Sequence, residues 1–153
     1  MPEKSFRLLF VGDVVGRPGR RALTALLAPL RQELAVDLAV VNGENSAGGA
    51  GITAETAAEI LSAGADVITT GNHVWDQKQF AAQIGQLEQV VRPANYPPGT
   101  PGEGSVIISA AGAKVLVMNL QGRVFMPPLD DPFRAADAIL AEHPQADIVI
   151  CDI

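Results

Sequence analysis

The stretch FRLLFVGD, residues Phe6 to Asp13, decides the fold. An apolar run from Phe6 to Val11 that closes on Gly12 and Asp13 reads as a short buried strand ending in a polar turn. Downstream, Pro18 sits near the first turn of a helix. The apolar positions Leu23, Leu26, Leu27, Leu30 and Leu34 then recur at the spacing of one helix face, with Pro29 a candidate kink. The chain therefore opens with a βα unit.

The same alternation returns. Asp37 to Val41 reads as a strand, Thr53 to Ala63 as a helix begun by a threonine cap, and Ala65 to Thr70 as a third strand. Gln77 to Ile84 reads as helical and Gln89 to Val91 as briefly extended. Strands at this spacing, joined by helices, predict a parallel sheet covered on both faces. The second half differs: Pro93 to Gly104 is a Pro- and Gly-rich loop, and Ser105 to Ser109 with Lys114 to Asn119 forms a β-hairpin around Ala111-Gly112. Phe133 to Ala141 reads as a helix and Ala146 to Asp152 as a last strand. No internal repeat or low-complexity segment interrupts this order. Because the last strand ends without the loop that normally bears functional groups in open α/β sheets, residues 1–153 are expected to be a single domain truncated at its C-terminus.

Composition narrows the class. With 153 residues, 48% of them hydrophobic and 18% charged, the chain has the makeup of a soluble globular domain, which argues against disorder. No apolar run approaches the roughly 20 residues that span a bilayer. Met1-Pro2-Glu3-Lys4-Ser5 leads directly into a strand-like segment and lacks the apolar region of a signal peptide, so a cytoplasmic location is expected. A net charge of −6 argues against broad binding of duplex nucleic acid but leaves room for a small phosphorylated substrate held by metal ions. The single cysteine, Cys151, has no internal disulfide partner and reads as a small buried hydrophobe without chemistry.

Three strands end in polar clusters: Gly12-Asp13, then Asn42-Gly43-Glu44-Asn45, then Gly71-Asn72-His73. In a parallel sheet such ends share one edge, so the clusters converge on one site although about 30 residues separate them in sequence. Two carboxylates, up to three amides and an imidazole suit a hard or borderline divalent cation such as Mn²⁺, Fe²⁺ or Mg²⁺, and they do not make a thiolate site. A carboxylate on the middle strand is placed to bridge two ions, which makes Glu44 the candidate bridge. Ions roughly 3.5–4 Å apart clamp a phosphoryl group and activate a water. Gly12, Gly43 and Gly71 fit sharp backbone turns beside the proposed ligands.

Each of these residues also has a plainer use. Asp13 can cap a helix, and Asn42 is best read as bonding loop backbone, with Asn45 open to either role. His73 taken alone reads as structural; beside two acidic strand ends it reads as functional. His143 reads as a surface residue. Arg17, Arg20 and Arg21 at the start of the first helix either attract a phosphate or form a solvated face. Trp75 and Asp76 either shape the pocket or serve packing and capping.

Gly71-Asn72-His73 resembles the calcineurin-like metallophosphoesterases, where such a triplet supplies an amide ligand and a histidine near the leaving group. That family usually carries Asp-x-His after its first strand and Gly-Asp-x-x-Asp after its second, where this chain has Asp13-Val14-Val15 and Gly43-Glu44-Asn45. Those departures resemble one branch, the YmdB family of bacterial metallophosphoesterases. The segments Phe10 to Gly19, Asn42 to Asn45, Gly48-Gly49, Gly51-Ile52-Thr53, Gly71 to His73 and Trp75-Asp76 carry the likeness along the whole chain.

The resemblance implies a layered αββα sandwich, of which this chain supplies the first, mainly parallel βαβαβ part and an additional β-hairpin. It implies that Asp13 ligates one metal, Glu44 bridges both, Asn72 ligates the second and Asn45 contributes, with His73 as the catalytic histidine and iron or manganese as the metal pair. It implies a phosphodiesterase acting on small phosphoesters such as 2′,3′-cyclic nucleotides; a homo-oligomer is expected as well, because a truncated sheet leaves an apolar edge and face unprotected. It also implies further metal-binding histidines beyond residue 153, so that residues 1–153 alone are expected to bind metal weakly and turn over little substrate. Two rival readings are a Rossmann-like nucleotide-binding module, whose G-x-G-x-x-G spacing the chain lacks, and a noncatalytic regulator of RNA turnover.

Overall fold

The structure is a computed structural model that describes residues 5–153, so the reading of the first four residues lies outside the described residues. Strands β1 (Leu8–Val11), β2 (Leu38–Asn42), β3 (Val67–Thr69) and β4 (Val90–Val91) form a sheet in that order, with every neighbouring pair parallel. A Rossmann sheet reverses direction beside its first strand and binds its nucleotide at that switch point. This sheet runs 1-2-3-4 and has no such reversal. A second sheet joins β5 (Ser105–Ala110) antiparallel to β6 (Ala113–Asn119), and β6 parallel to β7 (Ile148–Asp152). The two-residue hairpin turn holds Ala111 at φ 49° and Gly112 at φ 82°, the two positive angles of a type I′ turn.

The strand β2 shows how the layers form. Leu38 and Val40 point to one side and pack with Val67, Val91, Val115, Val117 and Ile150, which seals the first sheet against the second. Ala39 and Val41 point to the other side and pack with Leu23, Leu27, Ala57 and Ile60 from the helices α1 (Gly16–Glu33) and α2 (Ala54–Ser62). Both faces being covered, all five residues of β2 are buried, and the strand reads as a continuous apolar run. Leu116 and Met118 on the outer face of the second sheet meet Ala135, Ala136 and Ile139 of α3 (Pro132–Glu142). The order is helix, sheet, sheet, helix: the αββα sandwich expected from the sequence.

Local signals account for the helix ends. Thr53 and Thr56 form a reciprocal capping box at the start of α2. Asp131 caps α3 ahead of Pro132 at the first helical position. The helix α1 runs through Pro29 to Glu33. The expected helix at Gln77 to Ile84 is instead a pair of short 3₁₀ turns, Lys78–Ala82 and Ile84–Gln86. Phe80 and Ile84 are buried there and the backbone bonds run three residues back, as in Gln83 N–H to Phe80 O at 2.9 Å, so two isolated anchors tighten the chain without an extended apolar face. Cys151 is exposed, not buried. The strand β7 lies at the edge of its sheet and turns Ile148 and Ile150 inward, which leaves Val149 and Cys151 on the open side. The strand β1 is an edge of the first sheet, and Leu8 and Phe10 on it are exposed, as are Leu26 and Leu30 on α1 and Leu34 just beyond it. No helix among the described residues is long and apolar enough to cross a membrane.

Candidate active site

The carboxyl ends of β1, β2 and β3 are stitched together by backbone bonds before any side chain is considered. Val14 N–H donates to Asn42 O and Gly16 N–H to Asn45 O, both at 2.9 Å, tying the first polar cluster to the second. Gly43 N–H donates to Thr69 O at 2.9 Å and ties the second to the third strand. On this frame Asp13 adopts φ 26°, a left-handed conformation that a side chain rarely takes and that short polar residues tolerate best. Its carboxylate accepts from Asn45 Nδ2 at 2.8 Å across 32 residues of sequence.

Glu44 occupies the middle. Its Oε2 accepts the backbone N–H of His73 at 3.1 Å, so β2 and β3 meet through this carboxylate. Burial raises the Glu44 pKa, the nearby Asp13 and Asp152 carboxylates push it further up, and the His73 backbone bond and ring charge oppose the shift. Gly71 clears the space: a Cβ there would stand 2.4 Å and 2.6 Å from the two Glu44 oxygens. Gly71 and Gly43 therefore serve close approach, not sharp turns, whereas Gly12 serves neither. Gly43 faces Ile68 and Ile60 at 3.0 and 3.1 Å, Gly12 has nothing within 4 Å, and positive φ falls instead on Asp13 and Gly16.

His73 Nδ1 lies 2.7 Å from Asp76 Oδ2, three residues on. A carboxylate only accepts, so this contact puts the ring proton on Nδ1 and leaves Nε2 as the nitrogen that exchanges a proton. Asn72 lies exposed in a cleft of about 350 Å³ that it shares with Glu44, Gly71, Asn119 and Asp152. Asn42 is structural, as the sequence suggested: its Nδ2 donates to Thr70 O at 3.2 Å and to Asp152 Oδ2 at 3.0 Å, locking the two sheets together beside the cleft. Trp75 packs edge-on against Tyr96 with ring centroids 6.0 Å apart. Arg20 is taken up by Glu59 at 2.5 Å and by Ser46 O, while Arg17 and Arg21 stay at the surface, which favours the solvated-face reading of the arginines.

Three residues join the site without having been assigned to it from sequence. Asp76 carried a signal, its position one helical turn after His73, but that signal equally fits a cap. Asp152 ends the last strand, and the rule that placed Asp13 and Glu44 at strand ends applies to it too. Arg123 sits in a loop that no pattern marks.

The donor set suits a hard divalent cation. Asp13, Glu44 and Asp152 present carboxylate oxygen, Asn45 and Asn72 present amide oxygen, and the mutual repulsion felt by Glu44 is what a bound cation relieves. The fit is partial: among the described residues no three His, Cys, Asp or Glu side chains close into a metal-holding group by themselves.

A polar cleft at the carboxyl edge of a parallel sheet, inside an αββα sandwich, defines a fold of the metallophosphoesterase type. Within it, the chain belongs to the family of YmdB-like proteins, whose family model matches residues 9–153. It is 46% identical over 136 residues to the 2′,3′-cyclic-nucleotide 2′-phosphodiesterase of Bacillus subtilis, a match covering 89% of this chain and 52% of that protein. Among solved structures it is similar to a hypothetical protein of Thermus thermophilus, with a TM-score of 0.88 and 44% identity over 95% of this chain and 56% of that one. It is also similar to a phosphatase of Mycoplasma pneumoniae, with a TM-score of 0.87 and 30% identity over 97% of this chain and 54% of that one. The chain spans about half the length of the curated relatives it matches.

Proposed function

We propose that this chain forms the first half of a metal-dependent phosphodiesterase domain that hydrolyses small phosphoesters, 2′,3′-cyclic nucleotides foremost. The observation that supports it is the meeting of three strand ends around Glu44: Asn45 on Asp13 at 2.8 Å, and His73 N–H on Glu44 at 3.1 Å. The similarity to the Bacillus subtilis phosphodiesterase supports the choice of substrate class.

In this proposal Asp13 would hold one divalent ion, Glu44 both, and Asn72 the second, with Asn45 contributing. The family resemblance supports iron or manganese as the pair, and oxygen donors of this kind suit manganese in particular. The remaining ligands belong to the half of the family domain that this chain does not span. Two such ions, when bound, neutralise charge on the phosphoryl group and supply an activated water. The chain's own residues do the rest. Asp76 orients the His73 ring through Nδ1, and Nε2 gives a proton to the departing ester oxygen. The Asp13–Asn45 contact fixes the first carboxylate against the second strand end, so the ligands are positioned before substrate arrives. A cytoplasmic location and self-association are part of the same proposal.

The test is manganese content and turnover of 2′,3′-cyclic AMP, measured on the full-length family domain and on residues 1–153 alone. The proposal expects metal-dependent hydrolysis by the full domain, lost in Glu44→Gln, and weak metal binding with little turnover by residues 1–153. Metal-independent hydrolysis, or full activity retained in Glu44→Gln, refutes it.

A further inference from the structure

Arg123 apart, the side chains assigned so far to the cleft are acidic or neutral, yet the ligand proposed for it is an anion. The cleft has one cationic side chain among the described residues that line it, Arg123. We propose that Arg123 receives a phosphate oxygen of the substrate in this cleft, which Glu44 and Asn72 also line, and so acts as its anion-binding residue. This rests on the phosphoesterase reading above and adds a residue to it.

Arg123 stands in the segment between β6 and α3. Among the described residues its ion-pair partner is Asp131, with Nη2 to Oδ2 at 3.4 Å and the side chains 49% and 35% exposed. A pair this long and this exposed is weak and screened by salt. Asp131 is moreover already committed: its Oδ1 caps α3 by accepting from Phe133 N–H at 2.9 Å and Arg134 N–H at 3.3 Å. The guanidinium carries five N–H donors in a planar fork, and Asp131 takes one of them. The rest match the oxygens of a phosphate, which arginine engages two at a time.

The segment around Arg123 is not shaped by the core. Val124 is 79% exposed, and Phe125 is fully exposed at φ 59°, a left-handed angle that a bulky side chain adopts rarely. A turn closed by Met126 N–H to Arg123 O at 3.4 Å carries this angle, so the segment is shaped locally. Val124 and Met126 line the same cleft and add apolar surface to it. A volume of about 350 Å³ is within the range of small-ligand sites, and its described lining combines carboxylates and amides with one cation.

The test is calorimetric titration of the manganese-loaded full-length domain with inorganic phosphate. Arg123→Ala should weaken phosphate binding about tenfold to a hundredfold, the loss expected for charge-assisted hydrogen bonds, with manganese content unchanged. Arg123→Lys, which keeps the charge and loses the fork, should fall between Arg123→Ala and the unaltered protein. Asp131→Asn still caps α3 but weakens the tether, and should bind phosphate within about threefold of the unaltered protein. Phosphate affinity within twofold in Arg123→Ala overturns the assignment. So does an Asp131→Asn loss as large as that of Arg123→Ala, since Arg123 would then be a strut for its loop. Absence of phosphate binding by the unaltered, metal-loaded protein overturns the phosphoesterase reading and this inference together, whereas tight binding indifferent to Arg123 overturns this inference alone.

Discussion

Replacing Gly71 with alanine isolates the geometry around Glu44. The added Cβ would stand 2.4 Å from Oε2 and 2.6 Å from Oε1, whereas ordinary contact begins at 3.4 Å, so the carboxylate must retreat by about 1 Å. The backbone of Gly71 is not in the left-handed region, so the methyl group itself brings no conformational strain. The Glu44 carboxylate is the free end of a flexible side chain, and it gives way easily. Its bond from His73 N–H, at 3.1 Å, stretches as it leaves, a loss of about 1.5–3 kcal/mol for a charged acceptor. Release from a site where burial and two neighbouring carboxylates disfavour its charge offsets much of that. Thermal unfolding should therefore show a net change within about 1 kcal/mol. On the proposed two-metal reading, metal binding has no such offset, because Glu44 displaced by about 1 Å would no longer meet both ions. Manganese affinity of the full-length domain, followed by calorimetry, should fall about 10- to 100-fold, the range seen when the support of a metal ligand is disturbed. Gly12→Ala is the control, since nothing lies within 4 Å of its Cβ and its affinity should stay within twofold. Gly71→Ala with unchanged manganese affinity would refute the assignment of Glu44 as a ligand. Equal losses in the two variants would show that the damage comes from the loop backbone and not from the carboxylate.

Glu44→Gln should raise the melting temperature of the metal-free protein at pH 7 and leave it unchanged at pH 4. The folded-state pKa lies above the ordinary glutamate value of 4.5, so the folded state resists ionisation: no penalty exists below about 4.5, and one grows as pH rises toward the folded value. Equal melting-temperature differences at both pH values contradict the shift. His73→Gln keeps the backbone N–H on Glu44 and removes the ring, so kcat for cyclic-nucleotide hydrolysis should drop by about 10²–10⁴ with manganese content unchanged; loss of metal instead would recast His73 as a ligand. Leu27 is 1% exposed and Leu26 56% exposed on the same helix. Leu27→Ala should cost about 2–5 kcal/mol in denaturant unfolding and Leu26→Ala within about 0.5 kcal/mol, and a reversal would mean that α1 packs by another face.

Much of the scaffold can be read before folding because its signals are local. The apolar run ending at Val11, the Thr53 cap and the hairpin around Ala111-Gly112 each state their structure within a few residues. The rule that parallel strands share a functional edge then places Asp13, Glu44 and His73 together without any contact being known. What stays hidden is long-range or shaped by a partner layer. The Asn42–Asp152 bond spans 110 residues and joins two sheets, and nothing near either residue announces it. Cys151 sits in an apolar run like the buried ones, but the edge position of β7 exposes it. Gly71 looks like a turn glycine until the Glu44 carboxylate, 27 positions earlier in the chain, is seen to occupy the place of its missing side chain. Phe80 and Ile84 mimic helical spacing although the segment closes in tighter turns.

Crystals of the full-length family domain grown with Mn²⁺ and measured above and below the manganese absorption edge decide whether these strand ends form a two-metal centre. The prediction is two anomalous peaks roughly 3.5–4 Å apart, with a Glu44 oxygen on each, Asp13 beside one and Asn72 beside the other. Peaks remote from Glu44, or a single ion that leaves Asp13 or Asn72 outside its coordination sphere, would contradict it.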